Sequence, residues 1–214
     1  DVGFTSDKLS DAAMEQLKKV GENERFFMWV HYTDPHADYL RHEDIESFGN
    51  NARALYDGEV AFTDKHVGRL LDFLQKQSWT NRTSIIVTSD HGEAFGDNGM
   101  WRHGFELWEV LVRVPLCIYV PGAPPKRIEP RRSLIDLVPT MLELLRLPIP
   151  KDDLSGQSLV PDIFHDKQPA PRDILIDMPA GPYNESRRAF IHGDLKLIIS
   201  RDTHKELYDL AADP

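Results

Sequence analysis

Apolar and polar positions along this chain fall into blocks of two different periods. Residues 9–20 repeat apolar side chains at helical spacing, with Ser6-Asp7 ahead of them as capping residues and Gly21 behind them as a stop. Residues 25–31 (R-F-F-M-W-V-H) are a short, nearly continuous apolar run, the pattern of a strand buried on both faces. A polar stretch rich in His, Asp and Pro follows, from 32 to about 50. Residues 52–77 give the longest helical pattern, in which Leu55, Val60, Val67, Leu70, Leu71 and Leu74 recur between charged residues. Gly58 and Gly68 weaken it slightly.

A second strand-like run, 84–88 (S-I-I-V-T), also leads straight into a His- and Asp-containing loop. A third, 116–120, is closed by Pro121-Gly122. Residues 133–145 predict another amphipathic helix, with Pro139 setting a kink or an early first turn. Then the period changes. Residues 188–192 and 195–200 flank Gly193-Asp194, a two-residue loop of hairpin type, and a short strand follows at 206–208.

Strands alternating with helices predict an α/β fold, a mostly parallel sheet flanked by helices. The hairpin region predicts a small C-terminal antiparallel sheet. The proline-rich stretch 168–172 sets the expected boundary, giving domains of 1–167 and 168–214. In parallel sheets ligands bind outside the carboxyl ends of the strands. The polar loops that follow 25–31 and 84–88 share that edge in this reading.

Composition narrows the function. At 214 residues and 41% apolar the chain can bury a proper core, as one large domain or a domain plus a small appendage. A net charge of −10 argues against a nucleic-acid partner. The basic cluster from Lys126-Arg127 to Arg131-Arg132 is interrupted by prolines and reads as a solvated loop. A single cysteine excludes an internal disulfide, and Cys117 in its apolar run is expected to be buried as a small hydrophobe. No run approaches the roughly 18 consecutive apolar residues of a membrane-spanning helix. The chain opens on Asp1-Val2-Gly3 without a methionine, which reads as a piece of a longer protein.

Three groups of residues carry candidate chemistry. Asp90-His91, just beyond a buried strand, can place a carboxylate and an imidazole on one cation, and Gly92 allows close backbone approach. Asp90 can equally serve as a turn or cap beside a passive His91. His31, Asp34 and His36 stand in one six-residue run and can bind a metal, hold an anion or relay protons. Arg102-His103, bordered by Gly104, offers a cationic or titratable pair, unless Arg102 simply pairs with a nearby acid. No Walker-type glycine loop and no G-x-S-x-G elbow is present. Asp57, Glu59 and Asp64 read as a solvated or locally paired helix face, and Phe26, Phe27 and Trp29 as core.

Taken in order, these segments resemble the sulfatases of the alkaline-phosphatase superfamily. The matching stretches are F-F-M-W-V-H-Y-T-D-P-H (26–36), Y-D-G-E-V-A-F-T-D-K-H-V-G-R-L-L (56–71), V-T-S-D-H-G-E (87–93), W-R-H-G-F-E-L-W-E (101–109), R-V-P-L (113–116), S-L-I-D-L-V-P-T (133–140) and L-Y-D-L-A-A-D-P (207–214). They span nearly the whole chain.

The resemblance implies an alkaline-phosphatase-like α/β domain, incomplete here, followed by a four-stranded C-terminal sheet with a helix. Asp90 and His91 match two ligands of a single divalent cation, usually Ca2+. His36 matches the histidine that contacts the sulfate ester and assists departure of the leaving group. His103 stands where many members have a sulfate-binding lysine, and Arg102 joins it on the substrate side. The family nucleophile is a formylglycine made from C/S-x-P-x-R, and two consecutive aspartates in the family's N-terminal region complete the metal shell. This chain has neither, and Cys117 in C-I-Y-V-P does not fit.

The expectation is therefore a fragment, inactive alone, with a weakly held cation. It would require the missing N-terminal half of the same domain. Its substrate would be a sulfate-ester small molecule or glycan, and its location exported as the family suggests. Two alternatives stand beside it. One is a two-metal phosphodiesterase or phosphoethanolamine transferase, with Asp34, His36 and His103 around the second metal. The other is a non-catalytic, metal-stabilised module.

Overall fold

The structure, a computed structural model, describes residues 5–36, 38–150, 153–201 and 203–212. The opening Asp1-Val2-Gly3 and the last two residues of the 207–214 match lie outside the described residues. The chain divides into two compact units, 1–83 and 84–214.

In the first unit, α1 (Ser6–Leu17) starts before the apolar periodicity begins. Its buried stripe is Ser6, Ser10, Ala13 and Leu17, so small residues let it approach its neighbour closely. That neighbour is α2 (Ala52–Gln75), whose first turn is capped by Asn51 accepting the Ala54 N–H at 2.9 Å. Ser10 Oγ donates to the His66 carbonyl of α2 at 2.8 Å. The buried positions of α2 are Ala54, Glu59, Phe62, His66, Leu70 and Leu74. Val60, expected inside, is exposed, whereas Glu59, expected on a solvated face, is 2% exposed. The spacing was helical as predicted; the stripe was offset because Glu59 and His66 occupy it.

Residues 25–31 are assigned to no helix or strand. Phe26, Met28 and Val30 are half-buried, while Phe27 and Trp29 are 61% and 79% exposed. Phe26 packs edge-on against Trp79 at 5.1 Å. The segment alternates rather than being buried on both faces, because no strand among the described residues pairs with it.

In the second unit, β1 (Ile85–Thr88) leads to the hairpin of β2 (Ala94–Phe95) and β3 (Trp101–Arg102). The short α3 (Glu109–Val112) then precedes β4 (Leu116–Tyr119). β1 and β4 pair antiparallel, with Thr88 opposite Leu116, so the loop between them leaves and returns at one end. Cys117 is exposed, contrary to expectation. It alternates with half-buried Leu116 and Ile118, on the face it shares with exposed Tyr119.

A capping box at Ser133 and Asp136 starts a 3-10 turn that runs into α4 (Leu137–Leu144), with Pro139 in its first turn as predicted. Buried Asp136 also accepts the Gln157 N–H at 2.8 Å and pairs with Arg172 at 2.7 Å. After α5 (Val160–Phe164) come β5 (Ile174–Met178), β6 (Arg187–His192), β7 (Leu195–Ser200) and β8 (His204–Asp209). They form one antiparallel sheet in the order β5-β6-β7-β8. Gly193, at φ +57, turns the predicted β6–β7 hairpin. All strand pairings among the described residues are antiparallel, so the expected mostly parallel sheet is not formed within them.

One face of that sheet holds the segment just before and within α3. Leu107, Ala189 and Ile198 form its apolar centre, with Trp108, Val112, Ile176, Met178 and Tyr208 around them. Arg187 forks onto Glu106 with bonds of 2.8 and 2.5 Å. Lys196, 1% exposed, donates to Glu109 at 2.7 Å, and burial pushes its amine below the usual lysine range.

Candidate active site

The loop that follows β1 is built on main-chain contacts. Ser89 Oγ donates to the His91 carbonyl at 2.5 Å. The Gly92 N–H donates to the Leu111 carbonyl of α3 at 2.7 Å. A Cβ on Gly92 would lie 2.0 Å from the Val110 carbonyl oxygen, so only glycine lets the loop sit there. Asp90 remains exposed and accepts the His91 N–H at 3.0 Å.

His91 Nδ1 lies 2.8 Å from the Gly92 carbonyl. A carbonyl can only accept, so Nδ1 carries the proton and Nε2 presents its lone pair. This tautomer leaves Nε2 able to ligate a metal, with the other nitrogen held by a bond as is usual for such ligands. His91 Nε2 and Asp90 Oδ2 are 3.9 Å apart. One imidazole nitrogen and one carboxylate oxygen at that separation fit two ligands of a single divalent cation. Two ligands alone would bind it weakly.

The β2–β3 hairpin carries the chain back. Ala94 pairs with Arg102 and Phe95 with Trp101, and Arg102 takes a left-handed φ of +69 as it leaves β3. His103 then lays its ring on His91, with centroids 4.0 Å apart and planes at 27°. Its Nδ1 is 3.1 and 3.2 Å from the two carboxylate oxygens of Glu93, which is buried. Asp90, His91, Glu93 and His103 thus form one cluster, with exposed Arg102 beside it. Glu93 was quoted in the sequence as part of D-H-G-E but given no role. Its signal was spacing: in extended chain, residues 91 and 93 face the same side.

The polar loop of the first unit is held differently. His36 is exposed, and its N–H donates to the Thr33 carbonyl at 3.0 Å in a tight turn. Asp34 Oδ2 accepts the N–H of Ser6 at 2.6 Å and also its hydroxyl, so it caps α1 in place of the N-cap residue, Thr5, whose side chain makes no cap bond. Glu59 Oε1 accepts the Leu40 N–H at 2.6 Å, and Oε2 lies 2.6 Å from His42 Nε2. His42 stacks flat on Phe62, centroids 3.7 Å apart. Ligand-type atoms of Asp34, His42 and Glu59 all lie within 4.8 Å of one another. In the two-metal alternative Asp34 stood with His36 and His103; here its carboxylate is engaged by Ser6. His36 belongs to the first unit and the Asp90 cluster to the second.

Known proteins are similar to this chain over most of its length. A choline-sulfatase of Rhizobium meliloti (strain 1021) is 29% identical over 191 residues, covering 85% of this chain and 36% of its own length. The chain spans just over a third of this and other curated relatives, 37% of an arylsulfatase K of Gallus gallus among them. Among solved structures, BT4656 in complex with its substrate D-glucosamine-2-N,6-O-disulfate superposes with a TM-score of 0.78 at 20% identity. That match covers all of this chain (100%) and 64% of that one. A phosphonate monoester hydrolase from Silicibacter pomeroyi superposes at 0.67 and 23% identity, over 76% of this chain and 35% of that one. These likenesses show the fold. The family model described as Sulfatase matches residues 3–147, more than half of the chain, and this chain belongs to the sulfatase family.

Proposed function

We propose that this chain is the C-terminal part of an enzyme that hydrolyses sulfate esters, with Asp90 and His91 as two ligands of one divalent cation, Ca2+ by resemblance. The observation that carries the reading is the His91 tautomer, fixed by Gly92, beside the Asp90 carboxylate. When bound, the cation would supply Lewis-acid polarisation of the sulfate oxygens. The side chains of this chain do the rest. His103, oriented by Glu93, and Arg102 face the negative ester. The resemblance gives His36, in the first unit, the role of proton donor to the departing alcohol. The formylglycine nucleophile and the remaining ligands belong to an N-terminal part of the same domain. An α/β domain with a mostly parallel sheet ends near 167 in this reading, and the antiparallel subdomain begins at 168.

The substrate class rests on relatives. One is named for choline sulfate, and another was solved with a sulfated glucosamine. A sulfate-ester small molecule or glycan fits both. No helix among the described residues is long and apolar enough to cross a membrane, and an exported location is the family's suggestion.

Likeness to a phosphonate monoester hydrolase keeps phosphoryl chemistry as a second reading. The test is hydrolysis of an aryl sulfate and an aryl phosphonate by the full-length protein, with metal content measured alongside. One cation per chain and sulfate hydrolysis abolished by Asp90→Ala are expected. Two bound metals with preference for the phosphonate would overturn the sulfatase reading. The 214 residues alone should turn over neither substrate.

A further inference from the structure

We propose that Glu59, with Asp34, positions the loop carrying His36. This rests on the reading above for what His36 does there, though the anchoring itself can be tested without it. The sequence places His36 in the polar run 32–50, whose described residues form no helix or strand. Such a segment must get its conformation from specific bonds. The bonds are present on both sides of His36. Two residues before it, Asp34 takes both donors of Ser6 at the start of α1. Four residues after it, the Leu40 N–H ends on Glu59, and His42 ends on the other oxygen of the same carboxylate.

Glu59 is a costly residue to place where it is. It sits at 2% exposure on the inner face of α2, a position whose helical spacing asks for an apolar side chain. A buried carboxylate is tolerated only when its lone pairs are met by donors. Here each oxygen has one, both from a single loop. The carboxylate therefore joins a rigid 24-residue helix to the loop through two short bonds. The flat stack of His42 on Phe62, one turn further along α2, adds a third tie.

The same three side chains, Asp34, His42 and Glu59, have the composition of a cation site. Asp34 Oδ2 and both Glu59 oxygens, however, already accept from Ser6, Leu40 and His42, and a cation bound through those atoms would have to displace those donors. The bonds favour an anchor.

Three variants separate the possibilities. Glu59→Gln keeps an acceptor for the Leu40 N–H and can donate its amide to His42, so it should preserve the loop. Glu59→Leu keeps the helix packed but removes both bonds. In the 214-residue chain, amide exchange at Leu40 should quicken at least roughly tenfold in Glu59→Leu, by the loss of one buried bond. In Glu59→Gln it should stay within about threefold of the parent. A Leu40 amide as slow in Glu59→Leu as in the parent overturns the anchor, whatever the protein hydrolyses.

In the full-length enzyme, kcat should drop roughly 10- to 100-fold in Glu59→Leu, the scale of a misplacement near 1 Å, and much less in Glu59→Gln. KM for the sulfate ester should move less than kcat. A kcat equal to the parent's in Glu59→Leu, in a folded protein, overturns the link to His36. Absence of sulfate hydrolysis in the parent counts against the sulfatase reading and leaves the exchange result to decide the anchor. His36→Ala, which keeps Leu40 protected while kcat falls, is the control. If bound metal is found in the parent chain and lost in Glu59→Gln, the cluster is a cation site and the anchor is overturned.

Discussion

Two polar loops follow two apolar runs in this chain, and they are held by opposite means. The loop after β1 is fastened by its own main chain, through Gly92 against residues 110 and 111. The loop from 32 to 50 is fastened by side chains, Asp34 to α1 and Glu59 from α2. A main-chain contact leaves the side chains at hand for chemistry, and Asp90, His91 and His103 are grouped accordingly. A side-chain anchor leaves the main chain irregular but spends buried carboxylates. The first design fails through bulk and the second through loss of an acceptor.

Gly92→Ala is the sharpest way to break the first. With a methyl 2.0 Å from the Val110 carbonyl, backbone must move. The expected loss is about 3 kcal/mol or more, at the upper end of overpacking. In a chain of this size that lowers Tm by roughly 6–12 °C. Thermal unfolding of the 214-residue chain measures it, and titration with Ca2+ should show weaker binding than in the parent. A Tm within a degree of the parent would mean the loop is not held there.

Behind that loop stands a second support. α3, which receives Gly92, is itself tied to the C-terminal sheet by Lys196 on Glu109. Lys196→Met should lose about 2–4 kcal/mol, since it leaves Glu109 largely buried without its cation. Lys196→Met combined with Glu109→Leu should recover most of the loss, because removing both charges also removes their desolvation. Chemical denaturation of the parent, single and double variants reads this directly. A double variant no better than the single would show that the ion pair itself holds α3.

On the other loop, Asp34→Ala removes the acceptor at the first turn of α1. The expected loss is about 1–2 kcal/mol, the range for an N-terminal cap. Asp34→Asn, which keeps one acceptor oxygen, should lose less. Helix content and Tm of the chain give the comparison. Equal losses in the two variants would point to the charge rather than to the bonds.

The same contrast explains what could be read from the sequence. Period and punctuation were enough for α1, α2, β1, β4, α4 and the β6–β7 hairpin, because each is a local pattern. Three things were not local. Glu59 looks like any helical glutamate until Leu40 and His42 arrive from 17 to 19 residues away, and only then is its burial intelligible. Phe27, Trp29 and Cys117 were placed inside because apolar runs normally are; nothing among the described residues covers them. Ser6 and Ser10 do not look like a helix–helix contact, yet their small size is what brings α1 against α2. β5 was missed, although I-L-I-D-M at 174–178 has the composition of a short strand. The Asp90-His91-His103 group was legible as a set, since the β2–β3 hairpin needs only residues 89–104 to close it. Glu93, which orients His103, was on the page without a role.

The smallest expected effect concerns the side-chain-held unit. Phe62 lies between His42 and His66, with the second ring edge-on at 4.4 Å. His66 Nδ1 meets Arg69 Nη1 at 2.9 Å. A guanidinium only donates, so Nδ1 is the acceptor and Nε2 carries a proton. That Nε2 is buried with no hydrogen-bond partner among the described residues. Burial pushes the pKa of His66 below its usual 6.5, and Arg69 adds to this. Asp7 from α1 and Asp44 from the polar loop pull the other way, and Lys65 opposes them. With the folded pKa depressed, the unfolded chain takes up the proton first. The stability associated with this group is complete above about pH 6.5 and falls as the pH drops through the folded value. His66→Leu removes both the unpaired N–H and the proton-uptake difference. It should gain below about 1 kcal/mol at neutral pH, the lower range for relieving a buried unsatisfied donor. Its acid slope below pH 6.5 should be shallower than the parent's in parallel denaturation curves. Identical slopes would mean that His66 takes up its proton equally well in the folded and unfolded chain, so that its burial beside Phe62 does not couple folding to pH.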